Sequence, residues 1–196
     1  MPIKNITVVT SLPVAPAPPK PTKWKGNRRA IGEDFFETPQ HATEPIRPYI
    51  PAGVKTIWEP TYGKGAIGKL LEDWGYKVIK TDLYPKTEDS LGADFLTCAV
   101  PECDMLIFNP PFSLKTEFLK RACEIGKPFI FICPITIMET QKRFDLFKEH
   151  ELSVLNLPNR VNYVGKAAAK GKNKVCFHSI WIIGHTEHKN KIIYAE

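Results

Sequence analysis

The sequence predicts a single α/β domain built on a largely parallel sheet, and three observations carry that prediction. From Thr56 onward, short runs rich in β-branched and aromatic residues alternate with segments whose apolar residues recur at helical spacing. The runs stop abruptly, at Glu59-Pro60, at Asp82 and at Asn109-Pro110-Pro111, where an acid, a proline or an asparagine breaks the pattern. The chain has 196 residues, 43% apolar and 24% charged, which suits one globular domain and is too short for two.

Thr56-Ile57-Trp58 reads as the first buried strand. A helix follows with Ile67, Leu70, Leu71 and Trp74 at i, i+3, i+4 and i+7, and Gly75 closes it. Lys77 to Thr81 is the next strand, ending at Asp82, so this first unit is a βαβ crossover. The stretch from Leu83 to Pro101 is polar and broken, with little room for a full helix; Gly92-Ala93-Asp94-Phe95-Leu96 offers a short strand edge. Met105 to Phe108 is a further buried strand. It stops at Asn109-Pro110-Pro111-Phe112, because consecutive prolines can neither donate ladder hydrogen bonds nor continue a helix. A helix with Phe118, Leu119, Ala122 and Ile125 on one face then ends at Gly126. Pro128 to Cys133 forms a strand, residues 139–149 an amphipathic helix, and strands near Ser153–Leu157 and Val175–Ile183 complete the sheet.

The formal net charge is +6, from 27 Lys and Arg against 21 Asp and Glu, which first suggests a polyanionic partner. Its location changes that reading. Residues 1–30 hold six basic side chains and no acid, so residues 31–196 carry equal numbers of each sign. The same thirty residues hold six of the eighteen prolines, which predicts an extended, mobile basic arm ahead of one folded domain over residues 31–196.

No apolar stretch approaches the length of a membrane span, and no compact signal-peptide segment opens the chain, so a cytoplasmic protein is expected. Five widely spread cysteines, an odd number set mostly in apolar runs, fit a reducing compartment better than a disulfide framework. Cys176, His178, His185 and His188 are spaced without any CxxC, and ordinary packing is favoured over a zinc site there; no metal is expected.

Two motifs carry chemistry. Glu59-Pro60-Thr61-Tyr62-Gly63-Lys64-Gly65 lies at the carboxyl end of the first strand and opens the first helix, where glycines let backbone approach a ligand and an acid can receive its donors. Asp82 follows Gly65 by seventeen residues, at the end of the second strand, where a ribose-binding acid sits in this topology. The run from Gly63 to Gly68 satisfies G-x-G-x-x-G literally, so the glycines alone leave a nicotinamide dinucleotide open.

Asn109-Pro110-Pro111-Phe112 is the more specific motif. An exocyclic amine on a base is a poor nucleophile because its lone pair is delocalised into the ring. An Asn carboxamide oxygen and a neighbouring carbonyl that accept its N–H bonds draw the nitrogen toward tetrahedral geometry. The prolines supply a stiff backbone whose carbonyl is outside sheet and helix, and Phe112 offers a face for a flipped base.

On these residues the sequence resembles the class I S-adenosylmethionine-dependent amino-methyltransferases of the DNA N6-adenine type, some of the smaller of which are phage-encoded. The resemblance covers roughly residues 34–184. It implies a Rossmann-like class I methyltransferase fold, a mostly parallel sheet with helices on both faces. It also implies S-adenosylmethionine as cofactor and nucleic acid, DNA in the first place, as partner. Phe36-Glu37-Thr38-Pro39 is similar to the family's FxTP segment that closes over the cofactor, Thr38 contacting its carboxylate. Glu59, Tyr62, Gly63 and Gly65 would form the methionine-binding loop, Asp82 would hold the ribose, and Asp94 with Phe95 the cofactor's adenine. Asn109, Pro110, Pro111 and Phe112 would be the catalytic motif.

Downstream, Arg160-Val161-Asn162-Tyr163 resembles the late segment whose aromatic walls the flipped base, and Tyr163 reads equally as a core tyrosine. The family's usual target-recognition region has little room here: the gap from Leu96 to Phe108 spans thirteen residues inclusive, and little follows Ile183. Residues 165–174, with Lys166, Lys170, Lys172 and Lys174 and no acid, could grip phosphates without sequence selectivity or form a solvated hairpin. The expected activity is methyl transfer to adenine N6 in DNA. The alternatives are an RNA adenine-N6 or a protein glutamine methyltransferase, and a non-catalytic nucleic-acid-binding protein of the same fold.

Overall fold

A computed structural model of the chain describes residues 36–163 and 177–195. The basic arm over residues 1–30 and its boundary with the folded domain, Cys176, and the four lysines of residues 165–174 lie outside the described residues.

Eight strands form one sheet. They are β1 (Thr56–Glu59), β2 (Lys77–Asp82), β3 (Leu91–Gly92), β4 (Met105–Phe108), β5 (Phe129–Pro134), β6 (Ser153–Asn156), β7 (Ser179–Gly184) and β8 (Ile192–Tyr194), in the order β3-β2-β1-β4-β5-β7-β6-β8. The helices are α1 (Gln40–Thr43), α2 (Ala66–Asp73), α3 (Lys115–Ile125) and α4 (Gln141–Glu149). Every pairing is parallel except those of β7, which runs antiparallel between β5 and β6.

Burial explains why the central runs carry no polar alternation. All residues of β4, β5 and β7 are buried, as expected for strands covered on both faces. The unit β1-α2-β2 steps one way along the sheet and β4-α3-β5 the other. Since such crossovers are right-handed, the two steps place α2 and α3 on opposite faces. Each helix turns an apolar stripe inward: Ile67, Leu70 and Leu71 from α2, Phe118, Leu119, Ala122 and Cys123 from α3.

Three expectations are corrected. The strand edge expected from Gly92 to Leu96 is a two-residue pairing at Leu91–Gly92, because Asp94 turns the chain: its carboxylate accepts the Leu96 N–H at 3.0 Å and its carbonyl the N–H groups of Thr97 and Cys98. The helix expected from residue 139 begins at Gln141, behind a 3-10 turn over Ile135–Met138. The sheet does not end at Ile183, since β8 adds a parallel strand on the outer edge of β6.

The sequence reading also passed over α1 and the 3-10 segment Glu44–Tyr49 that continues it, in which Pro45 and Pro48 interrupt any longer helix. This segment is fastened to the far half of the sheet: Trp181 of β7, fully buried, donates its indole N–H to the Ala42 carbonyl at 2.7 Å across 139 positions. No helix among the described residues is long and apolar enough to cross a membrane.

Candidate functional site

The strand order reverses between β1 and β4, and a crevice opens at their carboxyl ends, where open α/β sheets bind ligands. A cleft of about 240 Å³ lies there. It brings together Phe36, Thr38, Glu59, Tyr62, Gly63, Asp82, Asp94, Phe95, Asn109, Pro110 and Pro111, all expected from sequence. Pro39, Gly65, Phe112 and Tyr163 do not line it.

Glu59 ends β1 and is buried, with Oε2 lacking a hydrogen-bond partner among the described residues. Burial pushes its carboxyl well above the ordinary carboxylate range; the Gly68 N–H opposes that rise and nearby Asp82 adds to it. The approach that makes this possible requires glycine. A Cβ on Gly68 would overlap Glu59 Oε2 and the Tyr62 ring, and one on Gly65 would overlap the Tyr62 phenol. Gly65 also sits in the left-handed region, at φ 82°, where it starts α2 with no side-chain cap. The two glycines thus let Tyr62, buried itself, pack under the loop while lining the cleft.

Asp82 shapes the same loop. One carboxylate oxygen accepts the Gly63 N–H at 2.8 Å and the other the Tyr84 N–H at 2.7 Å, which ties the ends of β1 and β2 together. Phe95 is buried, stacked on Phe118 with ring centroids 4.9 Å apart and tilted against Trp58 and Phe108. Both Phe95 and Phe118 reach the cleft wall.

Asn109 follows β4 immediately. Its Nδ2 donates to the Phe36 carbonyl at 2.7 Å and to Thr38 Oγ1 at 3.0 Å. A carbonyl can only accept, so these bonds fix which end of the carboxamide is nitrogen. Oδ1 is therefore the end left over, and it is buried with no partner among the described residues. Pro110 lies between β4 and the 3-10 turn Phe112–Leu114, so its carbonyl belongs to neither element. Pro39 starts α1, where its carbonyl accepts the Ala42 N–H.

Phe112 is only 6% exposed. It is packed among Phe36, Tyr163 and Phe177, with centroid distances of 5.2, 5.7 and 5.5 Å. Tyr163 is likewise buried, and its hydroxyl donates to Ser179 Oγ at 2.8 Å. Burial raises its phenol above the ordinary range.

Sequence reasoning missed Glu37, whose carboxylate meets Lys64 at 2.7 Å and so joins the segment before α1 to the glycine loop. It also missed Thr61, Leu83, Tyr84 and Phe118 on the cleft wall. Thr61 lies inside the glycine-loop motif, where no role was assigned to it, and Leu83 and Tyr84 follow Asp82; that adjacency was the available signal.

No family model matches the sequence, and no curated protein matches it. Solved structures do match in shape. A methyltransferase subunit of a type I restriction-modification system from Streptococcus thermophilus superposes with a TM-score of 0.56 at 13% identity, over 78% of this chain and 45% of that one. The 23S rRNA methyltransferase ErmE gives 0.55 at 12% identity, over 80% and 71%. A Listeria monocytogenes protein assigned to the class I S-adenosylmethionine-dependent methyltransferases gives 0.51 at 15% identity, over 79% and 62%.

The fold is the Rossmann-like class I methyltransferase fold. The present chain spans less than half the length of the restriction-modification subunit it superposes on. Within the methyltransferase fold, the cleft occupies the reversal of strand order, and Glu59 and Asn109 face it from the two strands that flank that reversal.

Proposed function

We propose that this chain is an S-adenosylmethionine-dependent amino-methyltransferase acting on the exocyclic N6 amine of adenine in nucleic acid, DNA in the first place. The observation that carries the reading is the fixed carboxamide of Asn109, a residue of the cleft lining: its nitrogen is committed to Phe36 and Thr38, and its oxygen is a buried acceptor without a partner among the described residues.

The cleft's own residues fit the cofactor. Glu59 Oε2 and Thr61 Oγ1 are buried polar atoms without partners among the described residues, and the ammonium of a cationic amino-acid group would donate to the first of them. Glu59, Tyr62 and Gly63 would hold the methionine end, with Thr38 at its carboxylate; Asp82 would take the ribose hydroxyls, and Asp94 with Phe95 the adenine. Bound there, S-adenosylmethionine supplies a methyl group on a sulfonium that needs alignment rather than further activation.

Asn109 Oδ1, with the Pro110 carbonyl, accepts the N–H bonds of the target amine and orients its lone pair. No dedicated base lines this part of the cleft among the described residues, so the departing proton passes to water. The lysines at 166, 170, 172 and 174 belong to this proposal as contacts to nucleic acid, whereas Tyr163, buried and bonded to Ser179, does not.

The test is transfer of label from S-adenosylmethionine to unmethylated DNA, RNA or protein, with Asn109→Ala as control. Label recovered as N6-methyladenine in DNA supports the reading. RNA adenine is the second reading, favoured by the superposition on a 23S rRNA methyltransferase, and label in RNA moves the assignment there. Label in a protein glutamine amide, or cofactor binding without transfer, overturns it; the last outcome leaves a nucleic-acid-binding protein of this fold.

A further inference from the structure

The second cluster of reactive side chains lies at the opposite end of the strands from the cleft. His185 follows β7, whose last residue, Gly184, is in register with Phe129, the first of β5. His185 thus sits beside the amino ends of the parallel strands, whereas the cleft is at their carboxyl ends. His150 follows α4, and Cys123 belongs to the last turn of α3. Three elements far apart in sequence converge here.

The ligand atoms of Cys123, His150 and His185 all lie within 4.8 Å of one another. His185 Nε2 and His150 Nδ1 are 3.3 Å apart. Two imidazole nitrogens bound at about 2.0–2.1 Å to one tetrahedral zinc ion are separated by about 3.3–3.4 Å, so this pair already has the spacing that a shared metal imposes. His185 holds the left-handed backbone conformation, at φ 54°, which is uncommon for a residue with a side chain and presents the ring to His150. Phe129 packs edge-on against the ring at 5.5 Å, and Cys123 is buried, so the pocket has a dry apolar side.

We propose that Cys123, His150 and His185 form a binding site for a thiophilic d-block dication, Zn²⁺ in the first instance. One thiolate and two neutral imidazoles satisfy three corners of a tetrahedron, with water at the fourth, and the absence of a carboxylate in the set disfavours Ca²⁺ and Mg²⁺. The ion would clip the ends of α3, α4 and β7 together. It is remote from the cleft and takes no part in methyl transfer.

The test uses the full reduced chain, stripped with a chelator, freed of it, and titrated with Zn²⁺ against a chromophoric competitor. One ion per chain is expected, with Cys123→Ser and His150→Gln each weakening binding at least tenfold and Cys98→Ser leaving it unchanged. Co²⁺ gives an independent readout on the wild-type chain: a thiolate-to-cobalt charge-transfer band, lost in Cys123→Ser. A cooperatively melting wild-type chain that binds no Zn²⁺ overturns the proposal. So does Zn²⁺ binding that survives both ligand substitutions, or a Co²⁺ complex without the thiolate band.

Discussion

Phe36 lies face to face with Phe112, ring centroids 5.2 Å apart and planes 15° from parallel. One face of Phe112 is therefore covered by a residue from the segment that also holds Asn109. A base that stacks on that face must displace Phe36.

Phe112→Ala is accordingly a stability variant before it is a catalytic one. Removing a ring buried among three others is expected to cost about 3–5 kcal/mol, read as a lowered midpoint in urea or heat. A variant that melts like the wild type would show that the aromatic cluster is looser than described.

Thr38→Val removes one of the two acceptors for Asn109 Nδ2 while keeping the shape of the buried side chain. Loss of such a bond is worth about 1 kcal/mol, so transfer at saturating cofactor is expected to slow by about fivefold. Measuring kcat separately from the cofactor KM checks this. A change confined to KM would place Thr38 on the cofactor alone.

Gly68→Ala reverses a usual sign. In the interior of a helix that substitution stabilises by about 1 kcal/mol, but here the new methyl group overlaps Glu59 Oε2 and Tyr62. A net loss of about 1–3 kcal/mol is expected, with weaker cofactor binding. Denaturant midpoints and calorimetric titration with S-adenosylmethionine measure the two effects.

Glu59→Gln is expected to stabilise the free protein, and to do so in a pH-dependent way. The folded carboxyl titrates well above the ordinary carboxylate value of 4.5, chiefly through burial. Below that value both folded and unfolded states are protonated and the substitution gains nothing. As pH rises above it, the unfolded state ionises first, and the wild type loses stability until the folded group has titrated too. Melting temperatures of the two proteins should converge near pH 4 and separate toward pH 8, with Gln the higher.

The strands that end at Glu59, at Asp82 and just before Asn109 were legible because short β-branched or apolar runs end sharply at acids and prolines, and a sharp end fixes where the next side chain points. The orientation of β7 was not, since an apolar run buried on both faces reads the same in either direction. β8 escaped notice because Ile192-Ile193-Tyr194 is three residues on an edge, with Ile192 and Tyr194 exposed. At the site, residue types announced Asn109 and the glycine loop. The burial of Phe112 and the Glu37–Lys64 pair depend on how the segment before α1 returns over the sheet, and no local pattern encodes that return.

The hydrogen bond from Trp181 to Ala42 bears on the order in which the molecule is made. During synthesis the residues around Phe36 and Thr38 emerge early, yet the strand that fastens Ala42 emerges 139 positions later. Until β7 is threaded between β5 and β6, the grip on the Asn109 carboxamide lacks its distal anchor, and contacts of such long range close late in folding. A nascent chain would thus complete the loop that joins Gly63 to Asp82 from nearby residues well before the Asn109 carboxamide is fully anchored, so under the proposed function competence for transfer would arrive with the last third of the polypeptide.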